Sequence, residues 1–103
     1  VDGDKELVKE LVNDFLEICP KQLEELIAAV HKSDPVQVER KAHSFKGSVG
    51  NFGVKSVQEL AYELEKMGRE EKLDNADSVL AKLQKEMKKI ESYLSSDEWE
   101  KNL

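Results

Sequence analysis

The sequence predicts an all-α protein, an up-and-down antiparallel four-helix bundle with an additional N-terminal helical segment. Three observations carry that expectation. Apolar residues recur three and four positions apart along most of the 103-residue chain, which is the period of one helix face. No stretch alternates with the two-residue period of a strand. The connectors between periodic stretches are short, so neighbouring helices must return antiparallel. Residues 1–103 are read as one domain, long enough for a modest core.

The first periodic stretch runs from Asp4 to Cys19, with Leu7, Leu11, Phe15 and Ile18 as its stripe and Val8, Val12 and Leu16 widening it. So wide a face suggests contacts on more than one side. Pro20 lacks an amide hydrogen, and the helix is expected to end or bend there and restart at Pro20 or Lys21. Leu23, Leu26, Ile27 and Val30 then face inward, and the chain turns at Lys32–Ser33–Asp34.

The next helix has the clearest signals. Asp34 suits the N-cap, Pro35 the first helical position, and Gln37 completes a capping box. Val38, Ala42, Phe45, Val49 and Phe52 form a single stripe, and Gly53 can close the helix in the left-handed conformation. Ser56 with Glu59 gives a second capping box, followed by an inward stripe of Val57, Leu60, Ala61, Leu64 and Met67, with Gly68 as the stop. After a charged connector from Arg69 to Lys72, Asp74 or Asn75 caps a last long helix carrying Ala76, Leu80, Leu83, Met87, Ile90 and Leu94. Ser95 and Ser96 end it, and Trp99 lies in a tail with no obvious partner.

Composition narrows the function. A net charge of −6 and a pI near 5.0 speak against nucleic acid as a partner. No apolar run approaches the length of a membrane span and no signal peptide is visible, so no direct membrane contact is expected. The lone Cys19 cannot form an internal disulfide and suits a reducing, cytoplasmic setting as a structural thiol. The first residue is Val1, which suggests a piece cut from something longer or a processed product. No metal site is expected, because His31 and His43 fall on different helices and no ligand-spaced pair accompanies them. His31 is read instead as a favourable charge at a helix C-terminus.

The chemistry gathers around His43. Taking about 100° per residue, His43 lies roughly 140° from the centre of the stripe on its helix, Gly47 roughly 180° and Gly50 roughly 120°. An imidazole thus projects outward beside two interior glycines, each of which costs about 0.5–1 kcal/mol relative to alanine. Bare backbone there lets a large partner approach the ring closely. Neutral imidazole is a nucleophile near neutral pH, and Lys46, three residues on, can reach a group bound to it. A phosphoryl group would bring close to two negative charges for that ammonium to meet. Arg40, Lys41 and Lys55 make the region locally basic and suited to steering an acidic partner, and Val36 lies on the same side as a docking contact. The glycines fit neither a Walker loop nor a dinucleotide fingerprint, and nothing resembles a Ser-His-Asp set.

The segment Ala42-His43-Ser44-Phe45-Lys46-Gly47-Ser48-Val49-Gly50-Asn51-Phe52-Gly53 resembles the signature of histidine-containing phosphotransfer (HPt) domains, with Phe45 where the family usually has leucine. Leu60-Ala61-Tyr62-Glu63-Leu64-Glu65 resembles the family's next helix, and the likeness extends over essentially the whole chain. The resemblance implies a phosphoryl carrier of a multistep His–Asp phosphorelay. His43 would be phosphorylated on Nε2, Lys46 would neutralise the phosphoryl group, Gly47 would keep the ring accessible, and Glu65 would bond the other ring nitrogen. It implies no kinase activity and no cofactor in this chain, the Mg²⁺ residing in the partner. Partners would be receiver domains of response regulators or hybrid kinases, and the chain itself would be free-standing or the end of a membrane-anchored hybrid sensor kinase. Two competing readings remain at this stage: a docking module that binds a receiver without being phosphorylated, and an enzyme that dephosphorylates one, with Glu65 or Asn51 positioning water.

Overall fold

A computed structural model describes residues 2–96 and 98–101, with side chains from residue 5 onward. Its helices are α1 (Asp2–His31), α2 (Pro35–Asn51), α3 (Lys55–Arg69), α4 (Ala76–Ser95) and the short α5 (Glu98–Lys101), and no strand occurs among the described residues. The first four form the expected antiparallel bundle, a rod of 48 × 19 × 19 Å. Its core is continuous through Phe15, Leu26, Val38, Phe45, Leu64 and Leu83, each at most 2% exposed.

Helix α1 corrects two sequence expectations. It runs unbroken through Pro20, so the N-terminal segment continues α1 rather than preceding it as a separate helix. An interior proline costs about 3 kcal/mol. The apolar positions keep register across it, however: Phe15 and Cys19 before, Leu23, Leu26 and Val30 after, all buried. Burying each large side chain contributes roughly 1.5–3 kcal/mol, so packing outweighs the missing hydrogen bond. The second correction concerns the predicted stripe: Phe15 is buried, but Leu7, Leu11 and Ile18 are 55%, 47% and 43% exposed. The N-terminal half of α1 turns a different edge inward, with Phe15 against Phe52 edge-on at 5.2 Å between ring centroids.

Helix α2 begins as expected, with the Asp34 carboxylate accepting from the Gln37 amide at 3.3 Å. Helices α1, α2 and α3 are each followed by a residue in the left-handed region: Ser33 (φ 52°), Gly53 (φ 75°) and Glu71 (φ 57°). Only one of these stops is a glycine. Gly68, expected to end α3, lies inside it and is buried, because its bare Cα lets α3 pass close to the start of α2. A Cβ there would fall 2.6 Å from the Glu39 nitrogen and 2.7 Å from the Pro35 oxygen. Helix α3 starts at Lys55 with Val54 in the capping position, so the Ser56–Glu59 box is not formed and Ser56 falls within the first turn. Asn75 precedes α4 without a side-chain cap bond. The tail is docked: Trp99 is half-buried and its indole N–H donates to the Leu94 carbonyl at 2.8 Å.

Candidate functional site

The site is built by the α2–α3 seam. The apolar face of α2 is fully enclosed, with Val38, Ala42, Phe45 and Val49 at 0% exposure, and this enclosure fixes the rotation of the helix. His43 must then project outward, and its side chain is 68% exposed. Beneath it the close crossing at Gly68 brings the end of α3 against α2. On the α3 wheel Glu65 stands between Ala61, four residues before it, and Gly68, three after, where the helix presses on its neighbour.

Glu65 is 4% exposed, the one buried charged residue of the described core. A buried carboxylate must be paired. Its Oε2 lies 3.3 Å from His43 Nδ1 and 2.6 Å from an Arg69 terminal nitrogen, and its Oε1 lies 2.7 Å from Lys46 Nζ. Arg69 Nε in turn donates to Glu39 Oε2 at 3.1 Å, tying α3 back to α2. Burial pushes the Glu65 carboxyl upward, but the facing Lys46 and His43 outweigh it and hold its pKa below the usual carboxylate value. Its stabilising charge is therefore present above the unfolded carboxyl's pKa and is lost as pH falls through the depressed folded value. Hydrogen bonds to Glu39 are the largest influence raising the Arg69 pKa.

This pairing settles the imidazole's hydrogen-bond pattern. An ionised carboxylate only accepts, so the proton of a neutral His43 sits on Nδ1 and is donated to Glu65. The Nε2 lone pair is then the one not engaged with Glu65. That nitrogen is the nucleophile the arrangement offers.

The remaining predicted residues separate into two groups. Lys46 is drawn into the site and only 24% exposed along its side chain. Gly47 is open, and a Cβ placed on it would meet nothing within 4 Å. Gly50 is less bare than expected, because a Cβ there would meet the Gln58 side-chain amide at 2.6 Å. Val36 is 55% exposed and Arg40 is exposed, and no hydrogen bond or ion pair joins either to Glu65 among the described residues. Arg40 borders a groove of about 730 Å³ that His43, Glu39 and Arg69 also line. Lys41 is engaged with Glu25 of α1 at 2.9 Å. Cys19 is fully buried, and that burial, with Glu91 nearby, pushes its thiol up to about 11, so it is inert.

Sequence reading missed Arg69, which it placed in a connector, and Tyr62, whose ring carries Lys46 Nζ at 5.0 Å from its centroid. The signal for Arg69 was its spacing, four residues after Glu65 on one helix. The signal for the depth of Glu65 was the pair of small residues flanking it on the wheel.

Comparison with known proteins agrees with this geometry. The signature described as the Hpt domain matches residues 10–93. The phosphorelay intermediate protein rdeA of Dictyostelium discoideum is 26% identical over 103 residues, covering 98% of this chain and 41% of that protein. The chain thus spans about two-fifths of that relative's length. The crystal structure of histidine-containing phosphotransfer protein B (HptB) from Pseudomonas aeruginosa PAO1 superposes with a TM-score of 0.80 at 25% identity, covering 84% of this chain and 76% of that one. With the helical bundle, the exposed histidine and a family signature spanning most of its length, the chain belongs to the histidine-containing phosphotransfer (Hpt) domain family.

Proposed function

We propose that this protein is a phosphoryl carrier of a His–Asp phosphorelay, with His43 as the residue that is loaded and unloaded. The observation that carries this reading is the state of the ring: Nδ1 lies 3.3 Å from a buried carboxylate while the side chain as a whole is 68% exposed. In the transfer, the Nε2 lone pair forms the N–P bond as the bond between phosphorus and the aspartyl oxygen of a receiver breaks, and the receiver carboxylate leaves with the electron pair. The ring keeps its Nδ1 proton and becomes a phosphoimidazolium. Its new positive charge faces Glu65, which stabilises it electrostatically. Lys46, held at the edge of the site, turns to the phosphoryl oxygens. The open backbone at Gly47 admits the receiver, and Val36, Arg40 and the Gly50 region form its docking surroundings. The receiver is proposed to supply the Mg²⁺ and the acidic groups, and this chain no kinase activity of its own. Reversal of the same step onto a second receiver completes the relay.

The experiment is direct. A phosphorylated receiver should place an acid-labile label on the wild-type chain, and His43→Gln should reduce that label to background. Because the His43 side chain is 68% exposed, the variant should keep native helical content. Full labelling of the variant would refute the assignment.

A further inference from the structure

We infer that Tyr62 is a positioning residue for Lys46, a role that rests on the carrier reading of His43 and goes beyond it. Lys46 comes from α2, whereas both groups that hold its ammonium come from α3. Glu65 Oε1 lies 2.7 Å from Nζ, and the ring centroid of Tyr62, three residues earlier in α3, lies 5.0 Å from it. The two holds differ in kind. Glu65 is a buried anion that cancels the charge of Lys46 and draws it inward. The ring attracts a cation through its quadrupole and leaves that charge uncompensated. Tyr62 is 43% exposed, so its ring stands at the rim of the site rather than in the core.

A lysine on a four-carbon stem is a mobile point charge, and a phosphoryl group at Nε2 needs that charge close and unspent. Pairing with Glu65 alone would leave Lys46 to choose between the buried carboxylate and open solvent. With the ring in place, the ammonium has a holding point at the rim as it leaves Oε1. The same ring also carries Lys66 Nζ at 4.8 Å, from the next turn of α3. Lys46 and Tyr62 line one shallow groove of about 400 Å³ together with Lys55, Gln58 and Glu59.

The test combines transfer rates with a direct view of the lysine. Tyr62→Leu should slow loading of His43 by a phosphorylated receiver about two- to fivefold, the range for a cation–π contact at an exposed site, and Tyr62→Phe should restore it. In a Lys46→Ala background, Tyr62→Leu should cause no further loss. Lys66→Gln should leave the rate within about 1.5-fold of wild type, since the ring's role runs through Lys46. By NMR of the unphosphorylated protein, the Lys46 ε-methylene protons should show a ring-current shift that Tyr62→Phe keeps and Tyr62→Leu removes. An equal loss in the Lys46→Ala background, a Lys66→Gln defect matching that of Tyr62→Leu, or ε-methylene signals indifferent to Tyr62→Leu would each overturn the inference. If the wild-type chain takes no label at His43, the carrier reading falls, and the Lys46 resonances alone then decide whether Tyr62 positions the lysine.

Discussion

Helices α1 and α2 carry apolar stripes of nearly the same spacing, yet they end in opposite situations. In α2 the stripe positions Val38, Ala42, Phe45 and Val49 are all at 0% exposure. In the N-terminal half of α1 the expected stripe splits: Phe15 is buried, while Leu7, Leu11 and Ile18 stand about half exposed. The difference is what lies opposite. Helix α2 packs against both α1 and α3, whereas Leu11 near the start of α1 borders an open groove shared with Phe52 and Val54 of the α2–α3 turn and Ile90 and Leu94 near the end of α4. Periodicity tells which face of a helix is apolar. It does not tell how many neighbours come to cover it.

The contrast breaks most sharply at Phe45. It is fully buried in the middle of α2, two residues from His43. Phe45→Ala should cost about 3–5 kcal/mol in urea unfolding, a large share of the stability of a domain this size. A loss under about 1 kcal/mol would mean that α2 is far less enclosed than its burial implies.

How much was legible follows the same line. The cap at Asp34, the closure at Gly53, the α2 stripe and the outward placement of His43 are all set by residues within a few positions of one another, and all were readable. Pro20 was misread because the local rule against an interior proline is overridden by Cys19, Leu23 and Leu26 packing on partners distant in sequence. Gly68 was misread as a stop because its reason, the α2 backbone at Pro35 and Glu39, lies some thirty residues away. Glu65 was reachable as a partner of His43 through family likeness, and Arg69 as its i,i+4 partner through spacing, but the burial of Glu65 depends on that same crossing.

Gly68 therefore gives the second way to sharpen the comparison. A Cβ at this position would meet backbone atoms of α2 at 2.6 and 2.7 Å, and backbone cannot swing aside as a side chain does. Gly68→Ala should destabilise by about 1–3 kcal/mol, even though alanine favours the helix. Gly47→Ala serves as its control, since it meets nothing within 4 Å and should gain about 0.5–1 kcal/mol from the same chemical change. Urea midpoints measured side by side decide the matter. Equal shifts of the same sign would show that the α2–α3 seam is not tight.

The smallest effect is expected at Leu11, and it tests the other side of the contrast. Leu11 is 47% exposed and borders a shallow apolar groove of about 300 Å³ with Val12, Phe52, Ile90 and Leu94. Half of its side chain already meets water, so Leu11→Ala removes only part of the transfer free energy and leaves no closed cavity behind. The expected cost is about 0.5–1 kcal/mol, against the several lost at Phe45. The midpoint should also be the same at low and high protein concentration. A cost near 3 kcal/mol that grows with concentration would mean that the start of α1 is covered in solution by a second molecule, and the asymmetry between the two helices would then belong to the isolated chain alone.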